Sequence, residues 1–178
     1  LYEKVSLALA GIPFEFIVVD DNSPDGTADL VKEMGRQHGN VRCIHRIGRR
    51  GLSSACIEGM SATAAPFIAV IDADLQHDEA VLPEMYRRAV AGDDIVVGSR
   101  YVGAGSAGDG LSSARETGSR LATRLSALLT GVTLSDPMSG FFLMRREVVD
   151  EVIPTLSREG FKILLDIIVS ATRFRSGT

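Results

Sequence analysis

The stretch FEFIVVDDNSPDGTADL (residues 14–30) decides the fold. FEFIVVD is a compact apolar run, rich in β-branched residues, of the length of one strand. Asn22, Ser23, Pro24, Asp25 and Gly26 then spell a tight turn, with Asp25 or Thr27 able to cap the following helix. From Thr27 onward Leu30, Val31 and Met34 fall at helical spacing. Strand, tight turn and helix make the first half of a crossover unit. Asp20 and Asp21 stand side by side where the strand surfaces. Gly or Asn would end a strand without placing like charges together, so the pair points to a bound ligand.

The same alternation continues along the chain. VRCIHRI (41–47), FIAVIDA (67–73) and DIVVGSRY (94–101) read as further strands buried on both faces. Residues 27–39, 52–64 and 79–92 carry the intervening helices, and 112–132 is a basic amphipathic helix. Such units imply right-handed crossovers and an α/β fold, with a mostly parallel sheet and helices on both faces. Residues 102–113, VGAGSAGDGLSS, form the one long irregular stretch. The first residues, LYEKVSLALAGIP, read as the later part of a helix, and the last, ATRFRSGT, as an unfinished element. The 178 residues are therefore expected to be one domain and a piece of a longer chain.

A net charge of −4 leaves no broad basic surface for nucleic acid. The hydrophobic share of 45% and charged share of 24% are those of an ordinary globular domain. No signal peptide and no apolar run of the ~18 residues needed for a membrane span is present. Cys43 and Cys56 match neither a metal spacing nor a disulfide framework, and read as small core residues in a reducing compartment.

Ligands of open α/β sheets bind outside the carboxyl ends of the strands. Asp20 and Asp21 end one strand, Asp72 and Asp74 another, and Ser99 and Arg100 a third. Asp72 and Asp74 lie two apart on one side of an extended segment, and carboxylates that close repel unless a cation joins them. Oxygen ligands suit Mg²⁺ or Mn²⁺, with Gln76 as a further neutral oxygen. The plainer alternative is an acidic turn with Asp78 as an N-cap; His77 is either a fourth ligand or an ordinary loop histidine. Arg49 and Arg50, beside Gly51 and a helix start, suit a diphosphate or a solvated loop. Arg100 suits a bidentate grip on phosphate or a surface ion pair. In the basic helix, Arg115 and Ser119 are four apart and share one face, while Leu121, Leu125, Leu128 and Leu129 make an apolar stripe. That pattern fits a helix at a membrane surface as well as a core helix.

VVDDNSPDGT, RRGLSSA, DADLQH, GSRY, DPMSGFF (136–142) and EGFKILLDI (159–167), in this order, resemble the family 2 glycosyltransferases of the GT-A (Rossmann-like) fold. They are most similar to the polyprenyl-phosphate sugar synthases of the dolichol-phosphate mannose synthase type, over residues 14–168. The resemblance implies inverting, metal-dependent transfer of a sugar, mannose from GDP-mannose in type members, to a polyprenyl or dolichyl phosphate. It implies donor binding by Asp20, Asp21, Asp72, Asp74 and Arg49, and a metal on Asp72, Asp74 and Gln76. It implies acceptor-phosphate binding by Arg100, Arg115, Ser119, Ser139 and Lys162, with Asp74, Arg100 and Arg115 at the reacting centre. It also implies a peripheral place at the cytoplasmic face of a membrane, with any membrane helices beyond residue 178. The family's first strand, with its Pro-x-Tyr/Phe-Asn-Glu motif, would precede residue 1, leaving the base pocket incomplete here. Phe142 stands where many relatives carry Arg.

Other readings weigh less. A UDP-sugar donor, such as UDP-glucose, with the same lipid acceptor differs only in specificity. Processive synthases carry Gln-x-x-Arg-Trp, and this chain has no Trp. A nucleotidyltransferase leaves DPMSGFF and EGFK unexplained. A receiver module needs a lone aspartate where this chain has Asp-x-Asp. A non-catalytic nucleotide-sugar binding module is the alternative outside the enzymes.

Overall fold

The computed structural model describes residues 1–98, 139–160, 162–171 and 176–177. The elements are α1 (Tyr2–Ala8), β1 (Phe16–Asp20), α2 (Thr27–Gln37), β2 (Val41–His45), α3 (Leu52–Ser61), β3 (Phe67–Ile71), α4 (Leu82–Ala91), β4 (Ile95–Val97), β5 (Phe141–Arg145), α5 (Arg146–Val152), α6 (Ile163–Ser170) and β6 (Ser176–Gly177). A 3₁₀ turn, Glu79–Val81, leads into α4. The strands and helices expected at 14–20, 27–39, 41–47, 52–64, 67–73 and 79–92 are present with trimmed ends. The expected loop at 102–113 and basic helix at 112–132 lie outside the described residues.

β1 and β2 pair in parallel, from Phe16 opposite Val41 to Asp20 opposite His45. β3 and β4 run the same way, but β5 lies between them and pairs antiparallel with each. β6 adds to the far side of β4 in parallel. The fold is α/β with helices on both faces, as expected. β5 is the departure: its Phe141 and Phe142 end the motif DPMSGFF, and the four-residue apolar run FFLM, without alternation, gives no direction.

β4 and β5 form the centre. Ile95, Val97, Phe142 and Met144 pack with α3, α5 and α6, through Ile57, Met60, Val149, Val152, Leu164 and Ile167. Val96, Phe141 and Leu143 face the other way, onto Val5 of α1 and Leu82, Met85 and Ala89 of α4. The period of two thus divides one continuous apolar run between two cores. β1, β2 and β3 are only partly buried, against the expectation for strands covered on both faces, because among the described residues β1 and β2 form a two-stranded pair with both edges unpaired and β3 is an edge of the β3–β5–β4–β6 sheet. Gly59 lets α3 approach β1 closely: a Cβ there would lie 3.1 Å from Val19 Cγ2.

Candidate active site

The two acids at the end of β1 have different tasks. Asp20 is buried, and its Oδ2 accepts the Ser23 N–H at 3.1 Å, closing the turn. Hydrogen bonding from Ser23 holds its carboxyl below the ordinary 3.8, against burial, which pushes it up. Asn22 takes φ +61° in this turn, and its Oδ1 lies 2.9 Å from His45 Nε2. Asp25 Oδ1 accepts both the N–H and the hydroxyl of Thr27, while Gly26, at φ +83°, is the N-cap of α2.

Asp21 turns the other way. Its Oδ2 accepts the Gly51 N–H at 2.8 Å, and its Oδ1 lies 3.0 Å from Arg46 Nε. That approach is an ion pair without hydrogen-bond alignment. Arg46 is fully buried, and its Nη2 donates to Ser54 Oγ at 2.8 Å. Beside it, Arg49 Nη1 donates to Glu58 Oε1 at 2.8 Å. A cleft of about 390 Å³ opens here, lined by Asp21, Asn22, Gly48, Arg49 and Arg50. The first turn of α3 is also tied to the EGFK loop, since Ser53 Oγ donates to the Gly160 carbonyl at 3.0 Å.

At the end of β3, the Asp72 N–H donates to the Gly140 carbonyl at 3.0 Å. A Cβ on Gly140 would lie 1.8 Å from Asp72 Oδ2, so the carboxylate fills the place of a side chain. Asp74 Oδ1 accepts the Gln76 N–H at 3.0 Å across a turn in which Leu75 takes φ +60°. Asp72 is half-buried; Asp74 and Gln76 are exposed. Carboxylate and amide oxygens are hard donors, of the class that Mg²⁺ and Mn²⁺ take. No group of three His, Cys, Asp or Glu that could hold a metal forms among the described residues, so the remaining ligands would come from substrate and water. Asp78 Oδ1 accepts the Ala80 N–H at 3.0 Å and caps the 3₁₀ turn. His77 is buried against the Phe141 ring, centroids 5.4 Å apart. Cys43 and Cys56 are free thiols. Burial, and then the charge of Asp72, push the Cys56 thiol up to about 11, so it stays protonated.

Residues 5–153 match the profile of "Glycosyl transferase family 2". The chain belongs to that family. It is 37% identical over 171 residues to a dolichol-phosphate mannosyltransferase of Pyrococcus furiosus, covering 95% of this chain and 47% of that protein. It is 34% identical over 155 residues to the Saccharomyces cerevisiae protein of the same name, covering 86% of this chain and 57% of the other. The chain thus spans about half the length of these curated relatives. Among solved structures, glucosyl-3-phosphoglycerate synthase from Mycobacterium tuberculosis with UDP superposes with a TM-score of 0.62 at 22% identity, covering 92% of this chain and 56% of that one. The same enzyme with Mn²⁺, UDP and glucosyl-3-phosphoglycerate superposes with a TM-score of 0.62 at 20% identity, over the same shares. The fold is that of the GT-A glycosyltransferases.

Against that family pattern, Ser139 is deeply buried: its Oγ donates to the Gly98 carbonyl at 2.9 Å and accepts the Phe141 N–H at 3.1 Å. Its hydroxyl therefore fastens β4 to β5. Lys162 is exposed and immediately precedes α6. Arg100, Arg115 and Ser119 lie outside the described residues. The residue that sequence reading passed over is Arg46. Its signal is an arginine one residue before the end of the run VRCIHRI, ahead of the more conspicuous Arg49 and Arg50.

Asp20 has a depressed carboxyl, so its stabilisation is whole above 3.8 and fades as pH falls through the lower folded value. Asp20→Asn is expected to lower the urea midpoint most near pH ~7, with the difference from the parent shrinking as pH falls below 3.8. Gly140→Ala is expected to destabilise by about 1–3 kcal/mol, because the methyl meets a carboxylate it cannot pass; equilibrium urea denaturation measures it.

Proposed function

We propose that the full-length protein transfers mannose from GDP-mannose to a polyprenyl or dolichyl phosphate, with inversion at the sugar carbon. The contact between Asp72 and Gly140 carries this reading. It joins the Asp-x-Asp segment, which would handle the donor diphosphate, to the Ser-Gly turn of the acceptor motif. In-line displacement needs donor and acceptor sites that share a wall. The similarity to dolichol-phosphate mannosyltransferases over 95% of the chain supports this choice of substrates.

Asp21 and Arg49, on the cleft, bind the nucleoside and the diphosphate. Asp20 acts beneath them by holding the turn. Asp72, Asp74 and Gln76 would hold a divalent ion, Mg²⁺ or Mn²⁺. When bound, that ion supplies charge neutralisation at the diphosphate leaving group. Arg100, Arg115, Ser119 and Lys162 hold the lipid phosphate, and Ser139 shapes the turn beside it. Two anions must approach one another, so the arginines serve to offset their repulsion as well as to orient them.

The nucleophile arrives ionised, because a phosphate monoester has its second pKa at ~6. No general base is then required, and the histidines have other tasks. His38 packs at a tilt against Tyr2, ring centroids 4.8 Å apart, His45 lies between Lys32 and Asn22, and His77 packs on Phe141. No helix among the described residues is long and apolar enough to cross a membrane. The proposed location is peripheral, at the cytoplasmic face, where the basic stretch 112–132 meets the lipid surface.

The test is a radiolabelled transfer assay on full-length protein, with GDP-mannose and UDP-glucose as donors and a short polyprenyl phosphate as acceptor. Label entering lipid from GDP-mannose is the expected result; transfer from UDP-glucose alone, or no lipid product, refutes the proposal. Asp74→Ala is expected to lower kcat about a hundredfold or more at saturating Mn²⁺. Arg115→Ala is expected to raise the KM for the lipid phosphate about tenfold while leaving the donor KM unchanged.

A further inference from the structure

We propose that Arg46 is a positioning residue of the donor site, fixing the Asp21 carboxylate from beneath and setting the charge balance around Arg49. Arg46 follows β2 directly, and its backbone N–H donates to the Asp20 carbonyl at 2.8 Å, continuing the β1–β2 ladder by one residue. Its side chain is therefore anchored at the root of the acidic turn. The guanidinium is fully buried. Nε sits 3.0 Å from Asp21 Oδ1 and 3.9 Å from Glu58 Oε1, and Nη2 reaches Ser54 Oγ. Glu58 in turn accepts from Arg49 at 2.8 Å. Asp21, Arg46, Glu58 and Arg49 thus form one alternating chain of charge, whose two ends, Asp21 and Arg49, line the cleft.

The manner of burial separates positioning from simple stabilisation. Buried N–H groups are as a rule satisfied, whatever the residue's role. Here Nη1 and Nε make no aligned hydrogen bond. An apolar residue of similar volume would avoid that desolvation. What such a residue could not do is face Asp21 and Glu58 with a cation. Without Arg46, these carboxylates would share Arg49 as the remaining cation of the set. Arg49 would be drawn toward Glu58, and Asp21 would keep the Gly51 N–H as its only anchor in this network. Lysine does not substitute, because a single ammonium cannot reach both the carboxylate and Ser54 in the plane of a fork.

This inference rests on the donor reading of the cleft, and its test separates the two. Full-length protein is titrated calorimetrically with GDP and with UDP, each with Mn²⁺. The variants are Arg46→Lys, Asp21→Asn, their combination and Ser54→Ala, with thermal midpoints recorded for all. Arg46→Lys is expected to weaken the preferred nucleotide about tenfold, the loss of one charge-assisted contact. In the Asp21→Asn background the same change is expected to add less than about twofold, because coupled residues are not additive. A residue that only stabilised the fold would lower the midpoints while the nucleotide affinity of the folded protein stayed the same. Ser54→Ala removes the Nη2 contact, together with the bond that the Ser54 hydroxyl donates to the Gly51 carbonyl at 3.0 Å, and is expected to weaken binding about two- to threefold. Unchanged affinity in Arg46→Lys, or full additivity in the combination, overturns the assignment. If Arg46→Lys does not fold, unchanged affinity in Ser54→Ala overturns it. No nucleotide binding by the wild type would overturn the donor reading and this inference together.

Discussion

The close contact between Asp72 and Gly140 is the constraint on which the rest of the structure depends. A carboxylate at the end of β3 occupies space that any other residue at 140 would fill. The contact exists because β5 lies reversed between β3 and β4, which brings the start of β5 beside the end of β3. A wholly parallel arrangement would carry the start of a neighbouring strand to the opposite edge of the sheet. The reversed strand thus brings two distant sequence motifs to one edge, and it buries its own side chains alternately in the two cores.

A second requirement is electrical. The loops that end β1 and β2 gather acids and arginines at close range. The described structure answers with an alternation of signs running from Asp21 through Arg46 and Glu58 to Arg49. Exposed pairs such as Lys32 with Asp29 add little, since water screens them. The buried guanidinium is screened much less, so its influence on its neighbours is larger.

Much of this was legible in the sequence. The alternation of β-branched runs with helical spacing located β1, α2, β2, α3, β3 and α4, because each element carries its own periodicity. The strand-end acids were legible for the same reason: a charge that closes an apolar run has few structural explanations. The direction of β5 was not legible, since strand polarity is set by tertiary pairing and four apolar residues look alike in both senses. Nor could adjacency reveal that Asp20 would close a turn while Asp21 faced the cleft. Successive side chains leave a strand in opposite directions, and the turn after it then decides which one meets solvent. Ser139 stood out by its motif alone, and the sequence could not reveal that its hydroxyl is engaged by Gly98 and Phe141, a pairing that depends on β5 being where it is.

The glycines on either side of the β4–β5 joint have a consequence for how the sheet assembles. A Cβ at Gly98 would lie 2.4 Å from the Phe141 ring, just as one at Gly140 would strike Asp72. Sliding β5 by one residue would bring a side chain into a slot that admits none, and would exchange the residues facing the two cores. Misaligned pairings are thereby excluded where β4 ends and β5 begins, and the sheet has a single register in which to close.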